Sequence, residues 1–207
     1  MSGSMTETCN TYNMLKFTRH LFSWAPKAEY FDYYERALIN QILTSIDPRT
    51  GQTTYKLGLY GGYFQPFCTL KDSFWCCTGT GFENHVKYND SIYFHDERDV
   101  YVNLFIPSVL RWKEKGFVLR QETRFPDDDR VTLVLSNVRP ARMALRIRYP
   151  FWAENCVRVR VNGRNLEHHG KPGSYIVIER KWKSGDKWTF SSRLRCAWRE
   201  HLTIQIA

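Results

Sequence analysis

A chain of 207 residues with 43% hydrophobic and 15% aromatic side chains can bury one sizeable core or two small ones, which excludes a disordered tail. No run approaches the roughly 18 to 20 consecutive apolar residues that span a bilayer. Met1 to Met5 lacks the regions of a signal peptide, so a soluble chain of cytoplasmic location, with no membrane partner, is expected.

The net charge of +9 would suit nucleic acid. However, Arg142, Arg146, Arg148, Arg158, Arg160 and Arg164 fall mostly at alternate positions of predicted strands. That is the pattern of a solvated sheet face, and no nucleic-acid partner is expected.

From Asn10 to Ile46 the pattern is helical. Met14, Leu15, Phe17, Thr18, Leu21 and Phe22 recur at three- and four-residue steps until Ser23-Trp24-Ala25-Pro26 breaks the run. A second helix is predicted from about Ala28 to Thr44, with Tyr30, Tyr33, Tyr34, Ala37, Leu38, Gln41 and Ile42 on one face, ended by Asp47-Pro48-Arg49-Thr50-Gly51. Two such helices form a hairpin that cannot bury its face alone. Gln52 to Phe82 is rich in glycine and aromatics without periodicity, the composition of a loop region where sites usually sit. A short helix from Gly81 to Asn89 and a strand from Ser91 to Phe94 are expected next.

After Asp99 the periodicity changes. Val100–Pro107, Phe117–Phe125, Val131–Ser136, Met143–Tyr149, Val157–Val161, Tyr175–Glu179 and Lys187–Ser191 are short runs rich in β-branched and aromatic residues. Asn162-Gly163 is the signal of a type I′ hairpin. Seven strands without intervening helices predict an antiparallel sandwich. The chain reads as α+β: the end of a helical domain, residues 1–90, followed by a β-domain, residues 91–207, with the changeover near Tyr88 to Tyr101.

Six cysteines are too few for a disulfide scaffold, and Cys76-Cys77 are neighbours that an ordinary bridge does not join. Glu7 and Cys9 before the first helix, with Cys76 and Cys77 in the loop, would make a sensible tetrahedral zinc site, because soft sulfur selects that ion. Spacing alone favours inert buried thiols instead, since no Cys-x-x-Cys pair is present. A metal-bound thiol is deprotonated at neutral pH, so a cysteine of such a cluster could attack carbon. The run Cys76 to Gly81 also looks like a phosphate loop, but no apolar strand precedes it and no Lys-Ser/Thr follows. Glu35, among Tyr30, Tyr33 and Tyr34, and Tyr55 in the loop suit the floor of a sugar pocket. Equally, Glu35 reads as a surface acid paired with Arg36 or a neighbour. His85, His95, His168 and His169 show no ligand spacing and read as structural or exposed.

Four blocks carry a resemblance: Glu7-Thr8-Cys9-Asn10-Thr11-Tyr12-Asn13-Met14-Leu15-Lys16, Tyr34 to Leu38, Phe74-Trp75-Cys76-Cys77-Thr78-Gly79-Thr80-Gly81-Phe82-Glu83-Asn84-His85, and Tyr101 to Ser108. In order, they resemble the β-L-arabinofuranosidase family of glycoside hydrolases, over about Thr6 to Phe190. The resemblance implies the terminal hairpins of an (α/α)6 barrel followed by a β-sandwich. It also implies release of L-arabinofuranose from β-linked arabino-oligosaccharides with retention of configuration. Zinc would be held by Glu7, Cys9, Cys76 and Cys77, with Cys76 as nucleophile, and Glu35 and Tyr55 would lie near the sugar.

The family's acid/base glutamate lies upstream of the Glu-x-Cys block and has no counterpart here, so weak turnover is expected. A barrel reduced to its last hairpins would expose apolar faces that favour association, as in a homodimer. A non-catalytic carbohydrate-binding or interaction module built on the sandwich is the competing reading.

Overall fold

The computed structural model describes residues 5–137, 140–153 and 157–192. Arg139, Cys156, Cys196 and residues 193–207 lie outside the described residues. Two compact units divide the chain, Met1–Ser91 and Ile92–Ala207.

The first unit is mainly helical. A short strand β1 (Met5–Glu7) runs directly into α1 (Thr8–Trp24). Thr11, Leu15, Thr18 and Phe22 are buried at helical spacing, and the helix stops before Pro26, which disfavours a helical residue 25. Helix α2 (Ala28–Ala37) continues as a π-turn over Leu38–Ile42 and a 3₁₀ turn over Leu43–Ser45, so the predicted second helix is present but changes pitch. Its buried stripe is Phe31, Tyr34, Glu35, Leu38 and Ile42, whereas Tyr30 and Tyr33 are only partly covered. Phe22 meets Phe31 edge-on at 4.9 Å, which locks α1 to α2.

Strand β2 (Lys56–Gly58) pairs antiparallel with β1, a pairing over about fifty residues that period-two patterning of three residues could not reveal. Helix α3 (Cys76–Val86) starts five residues earlier than the predicted helix. Glycine at 81 lets it pack closely: a Cβ there would lie 2.7 Å from Thr53 Cγ2 and 2.8 Å from its Oγ1. Thr53 cannot retreat easily, because it bridges Ile46 and its carbonyl accepts the Cys68 N–H at 2.8 Å.

The second unit contains two sheets that share one hydrophobic core. Its strands are β3 (Tyr93–His95), β4 (Asp99–Val102), β5 (Ser108–Trp112), β6 (Phe117–Thr123), β7 (Arg130–Leu135), β8 (Ala141–Tyr149), β9 (Arg158–Val161), β10 (Arg164–Asn165), β11 (Ser174–Trp182) and β12 (Lys187–Ser191). One sheet has the order β10-β9-β12-β7-β6-β5, the other β11-β8-β4-β3. Alternate residues point inward: Leu133 and Phe190 of the first sheet and Leu145 and Ile176 of the second belong to that core. Asn162 and Gly163 have φ of 51° and 79°, the two left-handed positions that a type I′ turn requires.

Three expectations are corrected. The pairing is not wholly antiparallel, since β4 runs parallel to β8 with Asp99 opposite Ala144. The predicted strand Val100–Pro107 ends at Val102, and β5 begins separately at Ser108. The solvated arginine face holds for Arg142, Arg158, Arg160 and Arg164, which are exposed, but not for two residues of β8: Arg148 is fully buried, donating from Nε to the Asn103 carbonyl at 2.7 Å, and Arg146 is half-buried and pairs with Asp99 at 2.6 Å. A buried guanidinium persists because its donors are satisfied internally. Among the described residues no helix is long and apolar enough to cross a membrane.

Candidate functional site

The β1–β2 ladder places Glu7 directly opposite Lys56. Glu7 is then the N-cap of α1, and Cys9 is the second residue of that helix. Cys76 and Cys77 are the first two residues of α3, whose N-cap is Trp75. Two helix N-termini thus converge, each with backbone N–H groups left over from helical bonding. One of them is used directly: the Cys9 N–H donates to Cys77 Sγ at 3.4 Å. Sulfur and carboxylate thus gather at two helix N-termini, where the partial charge is positive.

The three sulfurs lie within 4.8 Å of one another. Cys9 Sγ is 3.4 Å from Cys76 Sγ, and Cys76 Sγ is 3.9 Å from Cys77 Sγ. The Glu7 carboxylate reaches this group through Oε2, 3.6 Å from Cys9 Sγ, while Oε1 accepts the Tyr55 hydroxyl at 2.9 Å. Burial, followed by hydrogen bonds with Cys77 and Cys76, pushes the Cys9 thiol up to about 12. The bond to Glu7, followed by burial, pushes the Tyr55 hydroxyl up to about 12. Cys9 therefore resists losing its proton unless a cation compensates the charge. Three thiols at these separations could hold a metal ion, and they are the one such group among the described residues.

Exposure separates the two neighbours. Cys76 is exposed and Cys77 is fully buried. Around them, the Trp75 ring stacks on Tyr55 with centroids 5.5 Å apart and planes 7° from parallel. Tyr12 donates to Glu83, which also pairs with Lys87 at 4.0 Å, tying α1 to α3 below the cluster. None of these contacts involves Glu35. It is 5% exposed on α2, so the surface-acid reading is corrected. Cys68 stands outside the cluster, with its sulfur 3.9 Å from Thr53 Oγ1. Trp75 and Lys56 were not singled out from the sequence. Trp75 adjoins the cysteine pair and so had a signal, whereas Lys56 depends on cross-strand register and had none.

Residues 1–90 match the family described as the GH127 catalytic domain of β-L-arabinofuranosidase, and residues 99–194 match the GH127 middle domain. The chain belongs to the GH127 β-L-arabinofuranosidase family. Solved structures agree in fold. A protein titled glycoside hydrolase superposes with a TM-score of 0.77 at 24% identity, covering 90% of this chain and 32% of that one. A GH127 β-L-arabinofuranosidase from Geobacillus stearothermophilus T6 gives 0.77 at 22% identity, covering 90% and 31%. A third, titled a GH127 β-arabinofuranosidase, gives 0.73 at 25% identity, covering 90% and 32%. This GH127 chain therefore spans about a third of the length of those relatives. No curated protein matches it.

Proposed function

We propose that this chain carries the metal and nucleophile half of a retaining β-L-arabinofuranosidase site, with Cys76 as nucleophile. The supporting observation is the exposed Cys76 sulfur, 3.4 Å from Cys9 and 3.9 Å from the buried Cys77, at a helix N-terminus. The helical unit corresponds, on this reading, to terminal hairpins of an (α/α)6 barrel, and the two sheets to a β-sandwich.

The donor set suits zinc. With Zn–S near 2.3 Å and Zn–O near 2.0 Å, tetrahedral geometry sets sulfurs about 3.8 Å apart and an oxygen about 3.5 Å from sulfur. The separations of 3.4 and 3.9 Å between sulfurs and 3.6 Å from Glu7 Oε2 to Cys9 Sγ are close to those values. Cys9, Cys76, Cys77 and Glu7 would hold the ion, which when bound keeps thiols deprotonated at neutral pH. Three thiolates and a carboxylate form a soft set that disfavours calcium and magnesium.

In the reaction, Cys76 Sγ attacks the anomeric carbon of a β-linked L-arabinofuranoside. A C–S bond forms, the glycosidic C–O bond breaks, and the leaving oxygen takes a proton from a carboxylic acid. Water then attacks the same carbon on the opposite face and gives its proton to that carboxylate, and Cys76 leaves as thiolate. Two inversions give retention. The family pattern places that acid upstream of Glu7. Glu35 and Tyr55 are proposed near the sugar, and an arabino-oligosaccharide is the proposed substrate.

An aryl β-L-arabinofuranoside, whose leaving group needs little protonation, tests this reading. Aryl release is expected from the native chain and is expected to fall at least a thousandfold in Cys76→Ser. Equal release by the variant would refute the assignment. A non-catalytic carbohydrate-binding module would keep sugar affinity unchanged in that variant and would need no zinc.

A further inference from the structure

The two oxygens of Glu7 have different surroundings, and this carries a further inference. Oε1 accepts the Tyr55 hydroxyl at 2.9 Å and lies 3.9 Å from Lys56 Nζ, whereas Oε2 faces Cys9 Sγ at 3.6 Å. We propose that Tyr55 and Lys56 form a clamp on Glu7 Oε1 that leaves Oε2 as a single-oxygen ligand of the metal held by the three cysteines. Both are positioning residues, and the inference rests on the proposed metal-site reading.

The clamp is built into the backbone. The β1–β2 register sets Glu7 opposite Lys56, at the short range where cross-strand side chains interact. The Thr8 N–H donates to the Tyr55 carbonyl at 3.3 Å, and the Thr8 hydroxyl donates to the Thr54 carbonyl at 3.4 Å, which extends the registration past the strand end. The Tyr55 ring is held between two partners, stacked on Trp75 at 5.5 Å and covered by Lys56 Nζ at 4.7 Å. A ring fixed by stacking aims its hydroxyl, and a hydroxyl that donates to one carboxylate oxygen leaves the other oxygen for a cation. Partners of this kind commonly change metal affinity by ten- to a hundredfold. Lys56 is partly exposed and its contact is long, so it contributes less than Tyr55.

The experiment uses the full chain loaded with zinc, titrated against a chromophoric chelator, with cobalt(II) as a spectroscopic stand-in. Tyr55→Phe keeps the stack and removes only the hydroxyl. The expected result is about tenfold or greater loss of zinc affinity. The cobalt spectrum should retain its thiolate charge-transfer bands while its ligand-field bands weaken, as both carboxylate oxygens become free to bind. Lys56→Met is expected to lower affinity only a few-fold. Tyr55→Phe that binds zinc as tightly as the native chain, with an unchanged cobalt spectrum, overturns the clamp while leaving the metal site standing. A native chain that binds neither ion overturns the metal site itself, and the clamp with it.

Discussion

Cys76 and Cys77 are adjacent in sequence, yet one is exposed and the other buried. Successive helical residues point about 100° apart, so the first turn of α3 turns one thiol outward and the other against α1. Reactivity follows exposure as well as ionisation. Limited iodoacetamide treatment of metal-free protein, followed by peptide mapping, is expected to label Cys76 well before Cys77. Prior labelling of Cys77 would contradict the assignment of Cys76 as the attacking group. These residue types were legible in the sequence, because three cysteines and a carboxylate form a coherent ligand set. Their convergence was legible only through the family resemblance: no Cys-x-x-Cys spacing announces it, and the long-range β1–β2 pairing that presents Glu7 is only three residues long. Glu35 shows the opposite failure. A pairing with Arg36 or another neighbour suggested a surface position, but a helix with a wide apolar face buries whatever lies on that face.

At the scale of elements, α3 offers a matched pair of glycines. Gly79 has open space where a Cβ would go, whereas Gly81 lies against Thr53. Gly79→Ala is expected to stabilise the fold by up to about 1 kcal/mol through helix propensity. Gly81→Ala is expected to cost about 1 to 3 kcal/mol through overpacking, read by urea denaturation. A result in which both substitutions stabilise would show that α3 packs differently.

The turn regions of the sheet unit support a second prediction. Asp186 is buried, which alone would raise its pKa, but the Lys183 N–H, the Asn162 amide and Arg180 more than offset burial and hold it below the usual carboxylate range. A depressed carboxylate contributes stability that is present above its unfolded pKa and lost as pH falls through its folded pKa. Acid unfolding followed by Trp182 and Trp188 fluorescence is expected to begin at pH 4 or below in the native protein. In Asp186→Asn the acid dependence should be shallower and the neutral-pH stability lower. The Asn162-Gly163 hairpin was legible because its turn chemistry is local. The parallel β4–β8 pair was not, because strand direction depends on which partners meet and not on alternation within either strand.

At the scale of the whole molecule, apolar exposure is unevenly distributed. All but three of the large exposed hydrophobic side chains among the described residues belong to the first unit, including Phe64, Leu70, Phe74 and Phe82. Exposed apolar area of this kind favours association. Sedimentation velocity is expected to show concentration-dependent assembly of the full chain, reduced by Phe64→Ser with Phe74→Ser. A monomer at all concentrations would argue against the proposed association. The division into a helical and a strand-rich part was visible in the shift from 3.6- to 2-residue periodicity. The change of pitch after Ala37 was not, because a π-turn differs from an α-helix by one inserted residue and leaves the apolar pattern nearly intact.

The proposed nucleophile requires that the three sulfurs share one ion. Zinc K-edge X-ray absorption on the purified, zinc-loaded chain tests this most directly. It is predicted to show one zinc per chain with three sulfur neighbours at about 2.3 Å and one oxygen. A chain that retains no zinc, or zinc surrounded only by nitrogen and oxygen, would contradict it.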